Sequence, residues 1–170
     1  GRDDWAPLAP GLKTVEDATR IRADILSAFE RAERTDDPVE RERLLTFVVV
    51  GGGPTGVELA GALSDLSRHA LRHDFRRIES WQAKIYLVDA GDRVLSNFDE
   101  SLSTSALESL QRLGVTVRTG QRVTAITPTE VTIDSGGQSE TVATETVLWA
   151  AGVHASPLAK LLAEAGGVET

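Results

Sequence analysis

Cysteine and methionine are both missing from the 170-residue sequence, and long apolar runs are missing as well. Without cysteine the chain can form no disulfide, no thiolate nucleophile and no cysteine-ligated zinc or iron–sulfur site. No window approaches the roughly 18 consecutive apolar residues that indicate a membrane-spanning helix, and no charged-then-apolar leader opens the chain. Because the chain starts with glycine and has no methionine, we expect it to be a segment of a longer protein.

Basic residues are also scarce relative to acidic ones. The sequence has 18 Lys and Arg against 26 Asp and Glu, which gives a formal net charge of −8. This balance argues against nucleic acid as a partner and against contact of this segment with an anionic membrane. The apolar fraction of 41% and the charged fraction of 26% are close to the average for globular domains, which excludes wholesale disorder, collagen and coiled coil.

Short apolar runs rich in β-branched residues recur along the chain and are typical of strands buried on both faces of a parallel sheet. They cover residues 45–50, 84–88, 115–118 and 146–149. Apolar residues at helical spacing, which predict amphipathic helices, occur before the first run, between the first and second runs, and between the second and third runs. These predicted helices cover residues 14–34, 39–44, 55–71 and 102–113.

A different pattern stands between the third and fourth apolar runs. Residues 122–127, 130–134 and 139–143 alternate polar and apolar side chains, and turn residues separate them. Such alternation predicts an antiparallel meander with one solvated face. The predicted fold class is therefore α/β, a Rossmann-like doubly wound parallel sheet with an inserted three-stranded antiparallel β-meander.

Gly51, Gly53 and Gly56 form a G-x-G-x-x-G motif between a predicted strand and a predicted helix. In that setting the motif indicates dinucleotide binding. Gly51 permits a tight turn, Gly53 lets the backbone approach a pyrophosphate, and Gly56 lets the helix pack closely on the strand. Free N–H groups and the helix dipole would then face the phosphates. The alternative is a glycine-rich turn with only a structural role.

Asp89 ends the second predicted strand, 33 residues after Gly56. An acid at this place can accept hydrogen bonds from the adenosine ribose and repel a 2′-phosphate, which favours NAD over NADP. The spacing is longer than usual, and we attribute the excess to an insertion at residues 69–81. The alternative is that Asp89 only begins a turn. We expect the nearby Arg93 to point away from the ribose site.

Other polar residues give weaker indications. Glu58 either lies near the nicotinamide or is simply favoured in the first turn of a helix by the dipole. His69, His73 and Asp74 have a spacing that could suit a metal, but several arginines surround them, so we predict a solvated surface helix. His154 has no evident base or nucleophile partner.

The segment at residues 46–61 resembles the NADH-binding fingerprint of type II NADH dehydrogenases. It reads TFVVVGGGPTGVELAG. These enzymes are single-subunit, FAD-containing NADH:quinone oxidoreductases of the flavoprotein superfamily with two dinucleotide-binding domains. The fingerprint is shared by many flavoprotein reductases, but residues 74–78 and 149–153 resemble this family and its close relatives. Segments 10–18 and 87–95 are similar to family segments as well.

The resemblance implies an NADH-binding domain cut from a longer flavoprotein, here called the parent protein. Residues 1–45 would lead in from a missing FAD domain, 46–152 would bind NADH, and 153–170 would return to the FAD domain. The parent would pass hydride from NADH to FAD and electrons to a quinone. Its implied location is cytoplasmic, peripheral on the cytoplasmic face of the membrane.

The resemblance also implies which residues bind the cofactor. They are Gly51, Gly52, Gly53, Pro54, Thr55, Gly56, Glu58, Asp89, Ala150, Ala151 and Gly152. No side chain of the segment is required as a catalytic acid, base or nucleophile, or as a metal ligand. The sequence departs from the family at two positions. Asp89 stands where the family commonly has Glu, which keeps the ribose role with a shorter side chain. Ala62 stands where the family often has an acid, so a second acidic contact near the nicotinamide is not expected.

Two other functions remain open at this point. One is a non-enzymatic NAD(H)-sensing module of the same fold, which would need no flavin. The other is the corresponding domain of a different NADH-dependent flavoprotein reductase, such as the ferredoxin-reductase type.

Overall fold

A computed structural model of the chain describes residues 3–152. In this range four α-helices are α1 Val15–Arg34, α2 Pro38–Leu44, α3 Pro54–Asp65 and α4 Glu100–Arg112. The strands are β1 Thr46–Val50, β2 Lys84–Val88, β3 Val115–Arg118, β4 Arg122–Ile126, β5 Glu130–Ser135, β6 Gln138–Ala143 and β7 Thr146–Trp149. Three short helical turns are Asp3–Trp5, Leu66–Ala70 and Ser80–Gln82.

Four strands form a parallel sheet in the order β3-β2-β1-β7, and β4, β5 and β6 form a separate antiparallel sheet. β1 is central, so that Val49 pairs with Leu87 of β2 on one side and with Leu148 of β7 on the other. Both the parallel sheet and the three-stranded meander were expected from the sequence, and the predicted fold class is confirmed.

The parallel sheet is covered on both faces, which explains why every residue of β1 is buried. Phe47 and Val49 face the helices and pack with buried residues of α1, α2, α3 and α4. Val48 and Val50 face the meander and pack with Val131 and other buried residues of its strands. The helices therefore lie on one face of the sheet, and the meander takes the other.

The N-terminus of α1 is closed by a capping box. The Thr14 hydroxyl accepts the Asp17 N–H at 3.1 Å, and Asp17 accepts the N–H groups of Lys13 and Thr14 at 3.0 and 2.9 Å. These hydrogen bonds, that from Lys13 foremost, hold the pKa of Asp17 below its usual value. α1 thus begins at the predicted residue because local side chains satisfy its first free N–H groups.

The insertion before β2 exposes its histidines and arginines, buries some of its apolar side chains in the core, and is tied to α1. α3 continues into a single π-helical turn, in which His69 is exposed and contacts Asp65 at 2.9 Å. The Glu33 carboxylate of α1 accepts the backbone N–H groups of residues 76–78. Among residues 3–152, no group of three or more His, Asp or Glu side chains could hold a metal ion.

The lead-in segment joins the parallel sheet beside β7. Gly11 forms a parallel bridge with Trp149, whose N–H donates to the Pro10 carbonyl at 3.0 Å. Part of the predicted 1–45 segment therefore packs directly on the sheet. The predicted connector at 153–170 lies outside the described residues.

Glu145 links the start of β7 to two helices. Its carboxylate accepts hydrogen bonds from Arg31 of α1 at 2.7 Å and from Arg43 of α2 at 2.8 Å. Burial raises the pKa of Glu145, but the two arginines lower it by more, so the pKa lies below its usual value. The ionised form of Glu145 is therefore favoured by folding.

We expect Glu145 to contribute to the acid sensitivity of the fold. Because its folded pKa is lowered, its stabilising effect is present above the unfolded pKa and is lost as pH falls through the folded pKa. Glu145→Gln should lower the free energy of unfolding near pH 7 and reduce its loss on acidification to about pH 3, below the usual glutamate pKa. Urea denaturation across this range, with the exposed Glu108→Gln as control, measures both effects. Parallel pH profiles for the two variants would contradict the assignment.

Candidate functional site

The candidate site lies at the carboxyl ends of β1, β2 and β7. Residues 51–56, here called the glycine loop, follow β1 directly and include the first residues of α3, which begins at Pro54. The Gly51 N–H donates to the Val88 carbonyl at 2.8 Å, and the Ala150 N–H donates to the Val50 carbonyl at 2.8 Å. Three segments distant in the sequence therefore meet at one edge of the sheet, where parallel sheets bind their ligands.

Gly51 and Gly56 have the structural roles expected of the motif. Gly51 has a φ of +115°, and a Cβ there would lie 2.6 Å from the Ala151 nitrogen. A Cβ on Gly56 would lie 1.8 Å from the Gly51 carbonyl oxygen. Any larger residue at either position would force apart the strand, the loop and the helix. The tight-turn and close-packing predictions for these two glycines are confirmed.

Gly53 is different, because nothing in its own environment demands glycine. Its φ is −74°, which any residue adopts, and no atom of residues 3–152 lies within 4 Å of the position a Cβ would take. Its N–H has no acceptor within residues 3–152. Gly53 is also the N-cap of α3, without a side-chain cap. Open space and a free N–H at a helix N-terminus fit the pyrophosphate of a dinucleotide.

Asp89 is half-buried and bridges two loops. One carboxylate oxygen accepts the Gly52 N–H at 2.5 Å, and the other accepts the Gly91 N–H at 2.7 Å. The sequence suggested a ribose acceptor or a turn residue, and the structure adds a third role, the anchoring of the glycine loop. Each oxygen can accept a second hydrogen bond, so ribose binding by Asp89 stays a prediction.

A cleft of about 460 Å³ opens beside these residues, between the strand ends and β4. Gly51, Asp89 and Ala151, all predicted site residues, line it. Gln121 and Arg122 line it as well and were not predicted, because only the connection from β3 to β4 brings them there. The other lining residues were missed as well, namely Trp5, Val50, Val88, Ala90, Val123, Thr124 and Trp149. Trp149 had a local signal, since it directly precedes the predicted segment 150–152.

The expected orientation of Arg93 is confirmed. Its guanidinium donates to the Ser96 carbonyl at 2.8 Å and to the Phe98 carbonyl at 3.0 Å. Its long contact with the Leu95 carbonyl is 3.5 Å. Arg93 is therefore engaged with its own loop rather than directed at the ribose position.

Residues 6–170 match the family model of pyridine nucleotide-disulphide oxidoreductases. The chain belongs to the pyridine nucleotide-disulphide oxidoreductase family. It is 45% identical over 170 residues to the type II NADH:quinone oxidoreductase Ndh of Mycobacterium tuberculosis, covering 99% of this chain and 37% of that protein. The chain is also 43% identical to the type II NADH:quinone oxidoreductase NdhA of the same organism, over 96% of this chain and 35% of that protein. The resemblance to type II NADH dehydrogenases is thereby confirmed, and the chain spans about a third of these relatives.

A solved structure with a similar fold is that of NDH2 from Plasmodium falciparum in complex with NADH. It matches this chain with a TM-score of 0.82 over 90% of the chain and 32% of that protein. At 24% sequence identity the match supports the fold only. The fold of this pyridine nucleotide-disulphide oxidoreductase chain is thus found as part of a larger protein.

The remaining predicted site residues of the family fingerprint lie around the same loop. Pro54 opens α3, Thr55 follows it half-buried, and Gly152 is exposed with a φ of +70°. Glu58 is exposed on α3, whose first turn contains no acidic residue. The helix dipole is therefore a weaker explanation for Glu58 than the sequence suggested. No helix within residues 3–152 is long and apolar enough to span a membrane.

Proposed function

We propose that the chain is the NAD(H)-binding domain of a flavoprotein NADH dehydrogenase that passes hydride to FAD and electrons to a quinone. The observation that carries the proposal is the free Gly53 N–H, which faces open space at the start of α3. The names of the M. tuberculosis relatives support the reaction. In this proposal residues 46–152 form the NADH domain, and 1–45 and 153–170 connect it to an FAD domain elsewhere in the parent protein.

The residues of the chain would bind and orient the dinucleotide. Gly52, Gly53 and the N-terminus of α3, including Pro54 and Thr55, would hold the pyrophosphate. Asp89 would accept the adenosine ribose hydroxyls with its remaining lone pairs. Glu58 and the backbone of residues 150–152 would flank the nicotinamide. The bound cofactors supply the hydride chemistry, and the protein supplies position.

The proposed location of the parent protein in the cell rests on its proposed electron acceptor, a quinone. Quinones of the respiratory type dissolve in the membrane, so the parent would sit peripherally on the cytoplasmic face. The acidic excess of this chain is consistent with membrane contact elsewhere in the parent, since anionic membrane surfaces attract basic segments.

The isolated 170-residue chain tests the assignment. We expect it to fold, to be colourless and to bind NADH weakly, because part of the nicotinamide pocket would belong to the FAD domain. Titration with NADH, followed by calorimetry and by the fluorescence of Trp149 in the cleft, measures the binding, and absorbance measures flavin. NADH:quinone turnover should be absent from the chain.

Three results would contradict the proposal. A chain that does not bind NADH would refute the dinucleotide site. Stoichiometric yellow FAD, or quinone turnover by the chain alone, would show that it is not a fragment of a larger active unit. A parent protein that binds NADH without any flavin would favour the NAD(H)-sensing alternative.

A further inference from the structure

The loop between β2 and α4 contains a guanidinium, that of Arg93, which hydrogen-bonds to carbonyl groups of the same loop. Arg93 donates to the carbonyls of Ser96 and Phe98 at 2.8 and 3.0 Å and approaches that of Leu95 at 3.5 Å. Charge-assisted hydrogen bonds of this kind are stronger than those between neutral groups. Arg93 is therefore one of the groups that hold in place a loop without a helix or strand of its own.

Leu95, inside this loop, has an unusual backbone conformation. Its φ is +51°, and no other non-glycine residue within 3–152 has a positive φ. A leucine remains in this region only where its surroundings impose it. In this conformation its N–H donates to the Gly52 carbonyl at 2.7 Å. The loop thus reaches across to the glycine loop.

The peptide unit between Gly52 and Gly53 is consequently held in one orientation. Asp89 accepts the Gly52 N–H, and Leu95 donates to the Gly52 carbonyl, so both sides of Gly52 are held. In a trans peptide the C=O and the following N–H point in opposite directions. With the Gly52 carbonyl directed at Leu95, the Gly53 N–H points away from the β2–α4 loop and has no protein acceptor within 3–152.

We propose that Arg93 is a positioning residue for the phosphate site, acting through Leu95 and Gly52. Arg93 holds the loop, the loop holds Leu95 with its N–H on the Gly52 carbonyl, and the Gly53 N–H is thereby directed at the ligand before it binds. Such preorganisation improves affinity because the loop has less freedom to lose on binding. The inference rests on the proposed function, since the ligand is the pyrophosphate of NADH.

A substitution of Arg93 with a matched control tests this role. Arg93→Met removes the donors. Arg112→Met removes the same charge from the far end of α4, where the guanidinium donates, among residues 3–152, only to the Ser109 hydroxyl. We expect Arg93→Met to weaken NADH binding about tenfold, or about 1.4 kcal/mol. Arg112→Met should stay within about twofold, as other surface changes do. Arg93→Lys, which keeps a donor, should recover part of the loss.

The readout must separate positioning from stability. NADH titrations of the ¹⁵N-labelled chain give the dissociation constant and follow the Gly53 amide signal, and thermal unfolding shows that each variant is folded. In the unsubstituted chain the Gly53 signal should shift strongly at saturation. In Arg93→Met the saturated shift should be smaller, because the N–H is no longer held toward the phosphate.

A second pair of variants tests the backbone of Leu95 independently of Arg93. Leu95→Gly adopts a positive φ without steric cost, whereas the β-branched Leu95→Val strongly resists it. We expect Leu95→Gly to bind NADH within about threefold of the unsubstituted chain and Leu95→Val about tenfold more weakly. If the side chain of Leu95 only packed, valine would be the milder change. The reverse order of affinities would therefore overturn the proposal.

The outcomes distinguish this inference from the function on which it rests. An unsubstituted chain without affinity for NADH refutes the proposed function. If the unsubstituted chain binds NADH and both Arg93→Met and Arg112→Met lose affinity equally, the effect is one of charge only. This result refutes the positioning role of Arg93. If Arg93→Met lowers the melting temperature but leaves the NADH affinity and the Gly53 amide shift unchanged, Arg93 has a purely structural role. This result also refutes the positioning role.

Discussion

Gly53→Val should abolish NADH binding while the chain remains folded. The backbone at Gly53 is extended, with φ −74° and ψ −178°, which suits valine and the residue before a proline. Within the described part of the chain, no atom lies within 4 Å of the Cβ that a side chain would add there. The side chain would instead fill the space proposed for the pyrophosphate. We expect a loss of affinity of about a hundredfold or more, which is about 2.8 kcal/mol at least.

Two other glycines serve as controls for this variant. Gly61→Ala adds a methyl group in the same helix at an ordinary 3.8 Å from Leu113, so NADH binding should be unchanged. Gly56→Ala should instead destabilise the fold, because its Cβ would lie 1.8 Å from the Gly51 oxygen. Calorimetric titration and thermal unfolding of the three variants measure the contrast. If Gly53→Val binds NADH like the unsubstituted chain, the phosphate site is elsewhere.

The second large effect concerns the choice between NADH and NADPH. A carboxylate that accepts ribose hydroxyls would face the 2′-phosphate of NADPH at close range, and like charges repel. Each charge-assisted hydrogen bond contributes about 1.5–3 kcal/mol. We therefore expect the chain to prefer NADH by on the order of tenfold to several hundredfold. Arg93 does not offset this, because its guanidinium is directed at loop carbonyls.

Substitutions of Asp89 should change this preference in a predictable order. Asp89→Ala should weaken NADH most and reduce the preference, and Asp89→Arg should move it toward NADPH. Because Asp89 also holds the Gly52 N–H, Asp89→Ala should weaken NADPH binding somewhat too. Asp92→Ala, an exposed residue in the same turn, controls for the loss of one negative charge.

Calorimetric titration of both cofactors against these variants decides the role of Asp89. Equal affinity of the unsubstituted chain for NADH and NADPH would show that Asp89 only anchors the glycine loop. A similar change of preference in Asp92→Ala would show that net charge, rather than contact with the ribose, sets the choice.

Local sequence patterns determined the secondary structure closely. β2, β3 and β7 begin and end at the predicted residues, because a short β-branched run between turn residues is a local signal. α1 starts directly after Thr14, because the residues of its capping box lie close together in the sequence and are also a local signal. The predicted helix at 55–71 was less accurate, since α3 ends at Asp65 and continues as a π-helical turn. No local pattern distinguishes these two kinds of helical turn.

The glycine motif shows where local reasoning ends. The sequence alone identified Gly51 and Gly56 as positions where only glycine fits, because strand, turn and helix are contiguous there. Only the folded chain shows that Gly53 has an ordinary backbone conformation and an open environment. The fold itself therefore does not require glycine at this position, and in the proposed function the requirement comes from the ligand.

The tertiary structure decided how the site is supported. The carboxylate of Asp89 reaches back to Gly52, Leu95 donates to the Gly52 carbonyl, and the β3–β4 connection brings Arg122 to the cleft. It also decided that α1 to α4 pack on one face of the parallel sheet and the meander on the other. Strand and turn preferences act over a few residues and can be read along the chain. Hydrogen bonds between loops distant in the sequence form only once the sheet has aligned its strand ends, so no local pattern announces them.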